Sequence, residues 1–307
     1  MNKYYNHTSN YDKYPVVNVP GTDGECYTGW DAIAECLNRD LMKINEKVKV
    51  VVLECYQGVL DEEVVVSLQA RFPASHWFYS ADAMLSSDEI NAILKQDITD
   101  DEIFGYMTRL NMDCYFDGKK LAELRSKVAA VKEGVVFVYG VGAAYVQQVY
   151  DLLVYADMAR WEIQMRFRRN EISNVGVENK EERASLQYKR AFFVDWRICD
   201  RFKKKLMREW DYVLDTNIAG TPKMATGKAV WAGLEKASQT PFRVVPFFDP
   251  GPWGGQWMKE VCDLDRNTAN FAWCFVCRRR IAFIWDLEMS VLRSLLSTSY
   301  LLIRHVC

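Results

Sequence analysis

The sequence predicts an α/β fold built on a doubly wound parallel sheet. Three short apolar runs, Lys47–Glu54, Gly134–Tyr139 and Leu152–Ala156, have the length and β-branched content of strands buried on both faces. Helical patterns lie between these runs, and such alternation is typical of right-handed βαβ units. Half of the 307 residues are apolar and 26% are charged, which excludes a disordered or collagen-like chain.

The elements after the first strand follow in a regular order. Cys55–Leu60 is predicted to be a loop, and a helix is expected from Asp61 to about Arg71, because acidic residues in a first turn complement the helix dipole. The aromatic stretch His76–Ala81 is typical of a strand. Ser86–Lys95 is predicted to be a helix with Ser87 as its cap.

The second half of the domain has longer helical patterns. Leu121–Lys132 precedes the second buried strand, and the basic stretch Arg160–Arg169 follows the third. Lys203–Lys205 is expected on the solvated face of a further helix, and Thr216–Gly227 is rich enough in Gly, Thr and Asn to be a loop. The apolar stripe of that further helix comprises Cys199, Phe202, Leu206, Trp210 and Val213.

The chain changes character near Pro246, where proline and glycine become frequent. We predict three parts: a domain over residues 1–245, the start of a β segment over 246–277, and a tail over 278–307. Half of the tail residues are Leu, Ser or Arg, and Gly, Pro, Lys and Asn are absent from it. We interpret this tail as translated out of frame and expect it to be poorly ordered or fortuitously helical.

Two alternatives remain open for the tail. It could be an ordinary amphipathic helix or a transmembrane helix, although Asp286, Glu288 and Arg293 inside its apolar stretch disfavour a membrane span. The coding DNA distinguishes these alternatives from the frame change, because an early stop in the shifted frame would exclude it.

Charge and cysteine content limit the partners and the compartment. Lys and Arg number 39 against 41 Asp and Glu, a net charge of −2 that disfavours a nucleic-acid partner. No signal peptide or clear membrane span is evident, and nine cysteines at irregular spacings suit reduced thiols. The sequence therefore predicts a cytoplasmic protein without a membrane or nucleic-acid partner.

A group of seven cations is the candidate phosphate-binding site. They fall within 38 residues and are interleaved with Trp161, Tyr188 and Trp196, so they could line an anion pocket for a sugar phosphate or nucleotide. The alternative is that they form ion pairs with neighbouring carboxylates such as Glu162, Glu171 or Asp195. The seven are Arg160, Arg166, Arg168, Arg169, Lys189, Arg190 and Arg197.

The region from Val48 to Arg169 resembles the uridine-kinase-like branch of P-loop kinases. The resemblance rests on the order of elements, including Phe116-Asp117 before a helix, a strand ending at Gly140, and Asp151–Asp157 before the Arg-rich helix. A working phosphate loop needs Gly-x-x-x-x-Gly-Lys-Ser/Thr, whereas Glu54–Asp61 supplies neither the lysine nor the hydroxyl. The resemblance therefore implies a degenerate P-loop fold that has lost phosphoryl transfer.

A second resemblance begins in the glycine-rich segment. The run Asp249–Glu260 contains Trp253, Gly254, Gly255 and Lys259, and resembles the opening of a cupin-type mannose-6-phosphate isomerase. The span from about Tyr14 to Trp273 resembles the N-terminal portion of longer bacterial class I mannose-6-phosphate isomerase-like proteins. The stretches that carry it are Tyr106–Arg109, Asp157–Glu162, Ser185–Arg190, Val194–Arg197 and Phe247–Asp265.

This second resemblance implies zinc-assisted interconversion of an aldose and a ketose phosphate in the intact protein. The family's metal site resembles Gln-x-His-Pro with a later Glu and His, and none of His7, His76 and His305 stands in that frame. We therefore expect no metal site and no cofactor in this chain. The Cys274-x-x-Cys277 pair offers a zinc or redox alternative, which the lack of a second pair disfavours.

Two functional hypotheses follow. In the first, the chain is a truncated member of the isomerase-like family, inactive as it stands, with an incomplete barrel that promotes aggregation. In the second, residues up to about Val245 form a non-catalytic kinase-like module that binds a nucleotide or sugar phosphate. The ligand in both is a small phosphorylated molecule.

Overall fold

The computed structural model describes residues 16–239 continuously, together with the short segments 248–249, 270–271, 282–286 and 291–295. Twelve strands and nine α-helices lie within these residues. The strands are β1 (Val16–Asn18), β2 (Cys26–Thr28), β3 (Val48–Cys55), β4 (His76–Tyr79), β5 (Gly134–Gly140), β6 (Leu152–Asp157), β7 (Tyr212–Asp215), β8 (Lys223–Thr226), β9 (Phe248–Asp249), β10 (Asn270–Phe271), β11 (Ala282–Asp286) and β12 (Val291–Leu295).

Helices occupy most of the remaining chain between residues 30 and 238. A π-helical turn at Ala191–Asp195 joins α7 to α8, and 3₁₀ turns lie at Ser80–Ala83 and Met112–Tyr115. The α-helices are α1 (Trp30–Leu41), α2 (Asp61–Gln69), α3 (Ser87–Ile98), α4 (Gly118–Ala130), α5 (Ala143–Val146), α6 (Arg160–Arg168), α7 (Ala184–Arg190), α8 (Trp196–Leu206) and α9 (Gly227–Ser238).

One seven-stranded sheet forms the centre of the described residues. Its order is β2-β8-β7-β6-β3-β5-β4, in which the last five strands are parallel and β8 runs antiparallel to both of its neighbours, β7 and β2. The three predicted apolar runs are β3, β5 and β6, the adjacent central strands. Their inner residues are fully buried because helices cover both faces, as a parallel sheet requires. The predicted α/β class with a mostly parallel sheet is confirmed.

Connections run in both directions across this sheet. From β3 the chain passes through α2 to β4, towards the β4 edge of the sheet. From β5 it passes through α5 to β6, towards the β2 edge. Right-handed crossovers in opposite directions place α2 and α5 on opposite faces, an arrangement that fits a doubly wound sheet. Accordingly, α1 packs on α2, whereas α5 contacts β3, β5 and α4.

The N-cap of helix α3 lies one residue before the predicted one. Ser86, not Ser87, is the cap: its Oγ accepts a hydrogen bond from the Glu89 N–H at 3.4 Å. The Glu89 carboxylate in turn accepts from the Ser86 N–H at 2.9 Å, which completes a capping box. The prediction of Ser87 was wrong because only the Ser-x-x-Glu spacing from Ser86 allows this reciprocal pair.

The predicted helical stripe ends earlier than expected. Helix α8 stops at Leu206, and Val213 lies in β7, where it pairs with Tyr155 of β6. A short β-branched and aromatic segment is more stable as a sheet strand than as a helix end. The expected loop at Thr216–Gly227 also contains β8, which pairs antiparallel with β7 and so completes a β-hairpin.

The tail contains strands where disorder or a helix was expected. Within 278–307 the structure describes β11 and β12, which pair antiparallel with Asp286 opposite Val291. Strand β1 pairs with β12, so these three strands form a sheet separate from the seven-stranded one. The aromatic and β-branched residues Phe283, Ile284 and Trp285 favour a strand over a helix in β11. Strands β9 and β10 form a further two-stranded pair.

Among the described residues, no helix is both long enough and apolar enough to cross a membrane.

Candidate functional site

The connections of the parallel strands diverge at the centre of the sheet. After β3 the chain continues towards the β4 edge of the sheet, whereas after the adjacent strand β6 it continues towards the β2 edge. In open α/β sheets, ligands bind in the crevice outside the carboxyl ends of the strands at such a point. We therefore take the loops that follow β3, β5, β6 and β7 as the candidate site and call them the carboxyl edge.

The loop after β3 is short and tightly packed. Five residues, 56–60, separate β3 from α2, whereas a phosphate loop with its glycine-lysine pattern is longer. Gly58 has φ +96°, and a Cβ there would lie 2.8 Å from Cγ1 of Ile163. Helix α2 then opens with Asp61, Glu62 and Glu63, whose charges disfavour an anion at its N-terminus. This loop is packed against α6 and presents no cation.

A buried carboxyl group lies at the carboxyl end of the central strand. Glu54 is 2% exposed and accepts hydrogen bonds from the N–H groups of Gly142 and Ala144, both at 2.8 Å. Burial raises the pKa of Glu54 to about 8, although these backbone donors act in the opposite direction. The backbone donors that follow β5 are thus directed at a side chain of the protein itself.

Arg166 connects two loops of the carboxyl edge. Its guanidinium donates to the carbonyl oxygen of Gly58 and to that of Thr216, each at 2.7 Å, and lies 3.2 Å from the Glu162 carboxylate. The side chain is 1% exposed. A planar group with five donors can bridge two carbonyls in fixed geometry. Arg166 therefore holds the loop after β3 against the loop after β7.

Tyr56, Arg160 and Asp200 form a second buried contact at this edge. The Tyr56 hydroxyl donates to Asp200 Oδ1 at 2.8 Å, and Arg160 forms an ion pair with the other oxygen of the same carboxylate. Arg160 also lies over the ring of Trp196, 5.1 Å from its centroid. The Asp200 charge thus receives a hydroxyl on one oxygen and a guanidinium on the other.

Lys203 lies inside the protein, not on the solvated face that the sequence suggested. Its ammonium forms an ion pair with Asp157, at the end of β6. Three aromatic rings surround it, with centroids 5.5 to 5.8 Å from Nζ: Tyr56, Tyr155 and Trp210. The sequence-based prediction was wrong for Lys203 because α8 turns this position towards the sheet, where Asp157 and the ring faces compensate its desolvation.

Asp195 is the centre of a fully buried polar network. Its carboxylate accepts from the Tyr115 hydroxyl at 2.6 Å and from the Asn174 amide at 2.8 Å, and Arg190 lies 3.6 Å away. Gln57, from the loop after β3, donates to the same carboxylate at 3.4 Å. The network ties the π-helical turn to the carboxyl edge.

The other cations predicted to bind phosphate contact different parts of the chain. Arg169 pairs with Glu162 and Glu171, as the ion-pair alternative expected. Lys189 donates to the carbonyl oxygens of Thr99 and Asp101, far along the chain from the carboxyl-edge loops.

The last three of the seven cations also differ in their surroundings. Arg190 donates to Asn91 and to the Val175 carbonyl, in addition to its contact with the buried aspartate. Arg197 donates to the Phe192 carbonyl, and Arg168 is exposed at the end of α6. The structure therefore distributes six of the seven cations over several contacts within the chain, leaves Arg168 exposed, and does not bring the seven to one pocket in the described part of the chain.

Several predicted residues lie outside the described residues. These are the cupin-like entry motif of Trp253, Gly254, Gly255 and Lys259, and the Cys274–Cys277 pair. Within the described part of the chain, no group of three or more His, Cys, Asp or Glu side chains could hold a metal ion. His76 is an exposed residue at the start of β4.

The sequence carries a signal of burial for two further site residues, Glu54 and Lys203. Glu54 directly follows the four apolar residues Val50–Leu53, and a carboxylate at the buried end of a strand must be hydrogen-bonded or protonated. Lys203 lies four residues after Cys199 and three before Leu206, so helical periodicity already places it on the apolar side of the helix. Asp195 gave no such signal, because its burial depends on a π-helical turn.

The fold and the site together define a mixed α/β protein whose carboxyl edge is filled by its own buried charged side chains. The chain belongs to the family described as a domain of unknown function, DUF8485, whose model matches residues 29–239. No curated protein matches the sequence. Among solved structures, the chain is similar to a candidate fructose transport system kinase from Silicibacter sp. TM1040, with 11% identity and a TM-score of 0.38. That likeness covers 57% of this chain and 94% of the other.

Proposed function

We propose that residues 29–239 form a non-catalytic α/β module that acts by binding another molecule and does not transfer phosphoryl groups. The observation that carries this proposal is the position of Glu54. Its carboxyl group lies at the end of the central strand and accepts hydrogen bonds from the N–H groups of Gly142 and Ala144. A phosphate that approached this edge would meet donors that are already satisfied.

The charge of the loop after β3 supports the same proposal. Phosphoryl transfer depends on cations and backbone donors that stabilise the charge on the transferred group. Here the first turn of α2 carries three carboxylates, and the loop has neither a lysine nor a serine or threonine hydroxyl. These negative charges would repel a bound polyphosphate.

The buried cations give the third argument. Arg166, Arg160 and Lys203 all lie near the carboxyl edge, and each already contacts a carbonyl or a carboxylate of the chain. Moving one of them to a ligand would break its present contact, and a buried polar group that loses such a partner costs about 1–3 kcal/mol. The side chains therefore stabilise this edge and are unsuited to clamp a transferred phosphate.

The proposal is tested by incubating the chain with ATP, Mg²⁺ and sugar or nucleoside acceptors. We expect no ADP formation above the rate without protein. A rate that is abolished by the Lys203→Met substitution, in a variant shown to be folded, would contradict the proposal. Calorimetry with ATP and with mannose 6-phosphate tests the phosphate-ligand prediction, since binding that falls in Arg169→Ala would support a ligand site.

Zinc-dependent isomerisation stays a prediction, and it concerns the longer isomerase-like proteins that the sequence resembles. It concerns residues 246–277, of which the structure describes only 248–249 and 270–271. We expect this chain not to convert fructose 6-phosphate. Conversion that stops when a chelator is added would show that expectation to be wrong.

A further inference from the structure

Four large apolar side chains are exposed together on one loop. This loop, residues 99–110, connects α3 to the 3₁₀ turn at Met112–Tyr115. Ile103, Phe104 and Tyr106 are 68–69% exposed and Met107 is 47% exposed. Large apolar side chains that are exposed this close together mark a site of contact with another molecule more often than singly scattered ones do.

The backbone of the 99–110 loop is held in place by hydrogen bonds. The Asp101 carboxylate accepts from the N–H groups of Ile103 and Phe104 at 2.7 and 2.6 Å, and the Thr99 hydroxyl donates to the Phe104 carbonyl at 2.7 Å. The Tyr106 N–H donates to the Asp97 carbonyl at 2.7 Å. The apolar side chains are therefore displayed by an ordered backbone.

Contacts with the rest of the domain fix the base of the loop. The Thr108 N–H donates to the Phe193 carbonyl at 3.0 Å, and the Lys189 ammonium donates to the Asp101 carbonyl. At Gly105, a Cβ would lie 2.6 Å from the Asp97 carbonyl oxygen and 3.0 Å from the Phe193 ring. Such preorganisation lowers the entropic cost of binding.

The charge around the patch selects the kind of partner. Asp97, Asp100, Asp101 and Glu102 precede the apolar side chains, whereas Arg109 is the sole cation between residues 97 and 109. Arg183 pairs with Glu102, but both side chains remain more than 60% exposed. An acidic rim beside aromatic and aliphatic side chains complements a segment that carries both basic and apolar residues.

We propose that the 99–110 loop is a docking surface for a basic amphipathic segment of a partner protein, with its apolar side chains on Ile103, Phe104 and Tyr106 and its cations on the acidic rim. This assignment rests on the proposed function, in which the domain acts by binding. It deepens that function by giving the place of contact and the chemistry of the partner.

The test uses the full chain and a fluorescein-labelled 18-residue helical peptide with lysine on one face and leucine and tryptophan on the other. Fluorescence anisotropy should show saturable binding that weakens about tenfold in Phe104→Ser or Tyr106→Ser and several-fold in the double variant Asp100→Asn, Glu102→Gln. Binding should also weaken when NaCl is raised from about 50 to 500 mM. A peptide with glutamate in place of lysine should not bind.

Matched controls come from other exposed residues. Val149→Ser and Ile218→Ser remove apolar groups that are 79% and 60% exposed elsewhere on the domain, and should leave peptide binding unchanged. Equal weakening in these controls, or unchanged binding in the loop variants, would overturn the proposal.

Two other results would also overturn the docking proposal. Self-association that is lost in Phe104→Ser would assign the loop to a second copy of this chain. Binding to neutral or anionic vesicles that is lost in the same variant would assign it to a membrane. None of these results bears on phosphoryl transfer, so the docking surface and the non-catalytic function can fail separately.

Discussion

The buried carboxyl group of Glu54 links the stability of the domain to pH. Its pKa is about 8 in the folded chain because of burial, whereas a glutamate in an unfolded chain titrates near 4.5. The folded state therefore holds a proton between these values that the unfolded state has lost. The contribution of Glu54 to stability is fully present below about pH 4.5, falls as the pH rises, and reaches its minimum above pH 8.

Glu54→Gln should remove this pH dependence. The free energy of unfolding of the parent chain should fall, relative to the variant, by up to about 1.4 kcal/mol per pH unit between pH 5 and 8. Denaturant unfolding at several pH values measures the difference. Glu123→Gln, an exposed change on α4, is the control and should run parallel to the parent. A parallel course for Glu54→Gln as well would show that the group is ionised throughout.

Lysine should not be able to replace Arg166 without a loss of stability. A single ammonium cannot reach the carbonyls of Gly58 and Thr216 together, so one buried acceptor loses its donor. We expect Arg166→Lys to lower the free energy of unfolding by about 2–4 kcal/mol. Arg168→Lys, on the exposed end of the same helix, should change it by less than about 0.5 kcal/mol. Equal effects would mean that Arg166 does not connect the two loops.

At the scale of single elements, the start of α3 separates two neighbouring serines. Ser86→Ala removes the hydroxyl that caps the helix, and should lower the free energy of unfolding by about 1 kcal/mol. Ser87→Ala, one residue later, lies in the first turn and should change it by only a few tenths. Thermal unfolding of the two variants measures the contrast. A larger loss of unfolding free energy in Ser87→Ala would show that Ser87 is the N-cap after all.

The central strands could be predicted from sequence because their burial on two faces leaves a continuous apolar run. Val48–Cys55 and Leu152–Asp157 are strands within one or two residues of the predicted bounds. The end of α8 could not be found in this way, because Trp210 and Val213 continue its apolar spacing by chance. Pairing with β6 and β8, which involves residues distant in sequence, decides that β7 is a strand.

The candidate site was less accessible to sequence analysis than the sheet. Seven cations were identified, but their partners include backbone carbonyls, and carbonyls leave no trace in a sequence. Arg166 illustrates this limit. An arginine that contacts two backbone carbonyls cannot be distinguished in the sequence from an arginine that binds phosphate. Lys203 is buried only because Asp157 and three rings from other elements surround it.

At the scale of the whole molecule, the tail and the central domain use different sheets. The seven-stranded sheet takes its strands from residues 26–226, whereas β11 and β12 of the tail pair with each other and with β1. The family match, over residues 29–239, likewise ends before the tail begins. The stability of the central sheet should therefore not depend on residues 278–307. The out-of-frame origin of the tail stays a prediction that the coding DNA tests.

Removal of residues 278–307 should leave the unfolding of the central domain unchanged. The deletion takes a pairing partner from β1 but no strand, cap or ion pair described for the seven-stranded sheet. We expect the melting temperature to change by less than about 2 °C, because a loss of 1 kcal/mol already moves it by 2–4 °C in a domain of this size. The soluble fraction should rise, since the apolar residues of the tail promote association. A lower melting temperature with no gain in solubility would mean that the tail is an integral part of the fold, and the frame-change hypothesis would then lose its structural support.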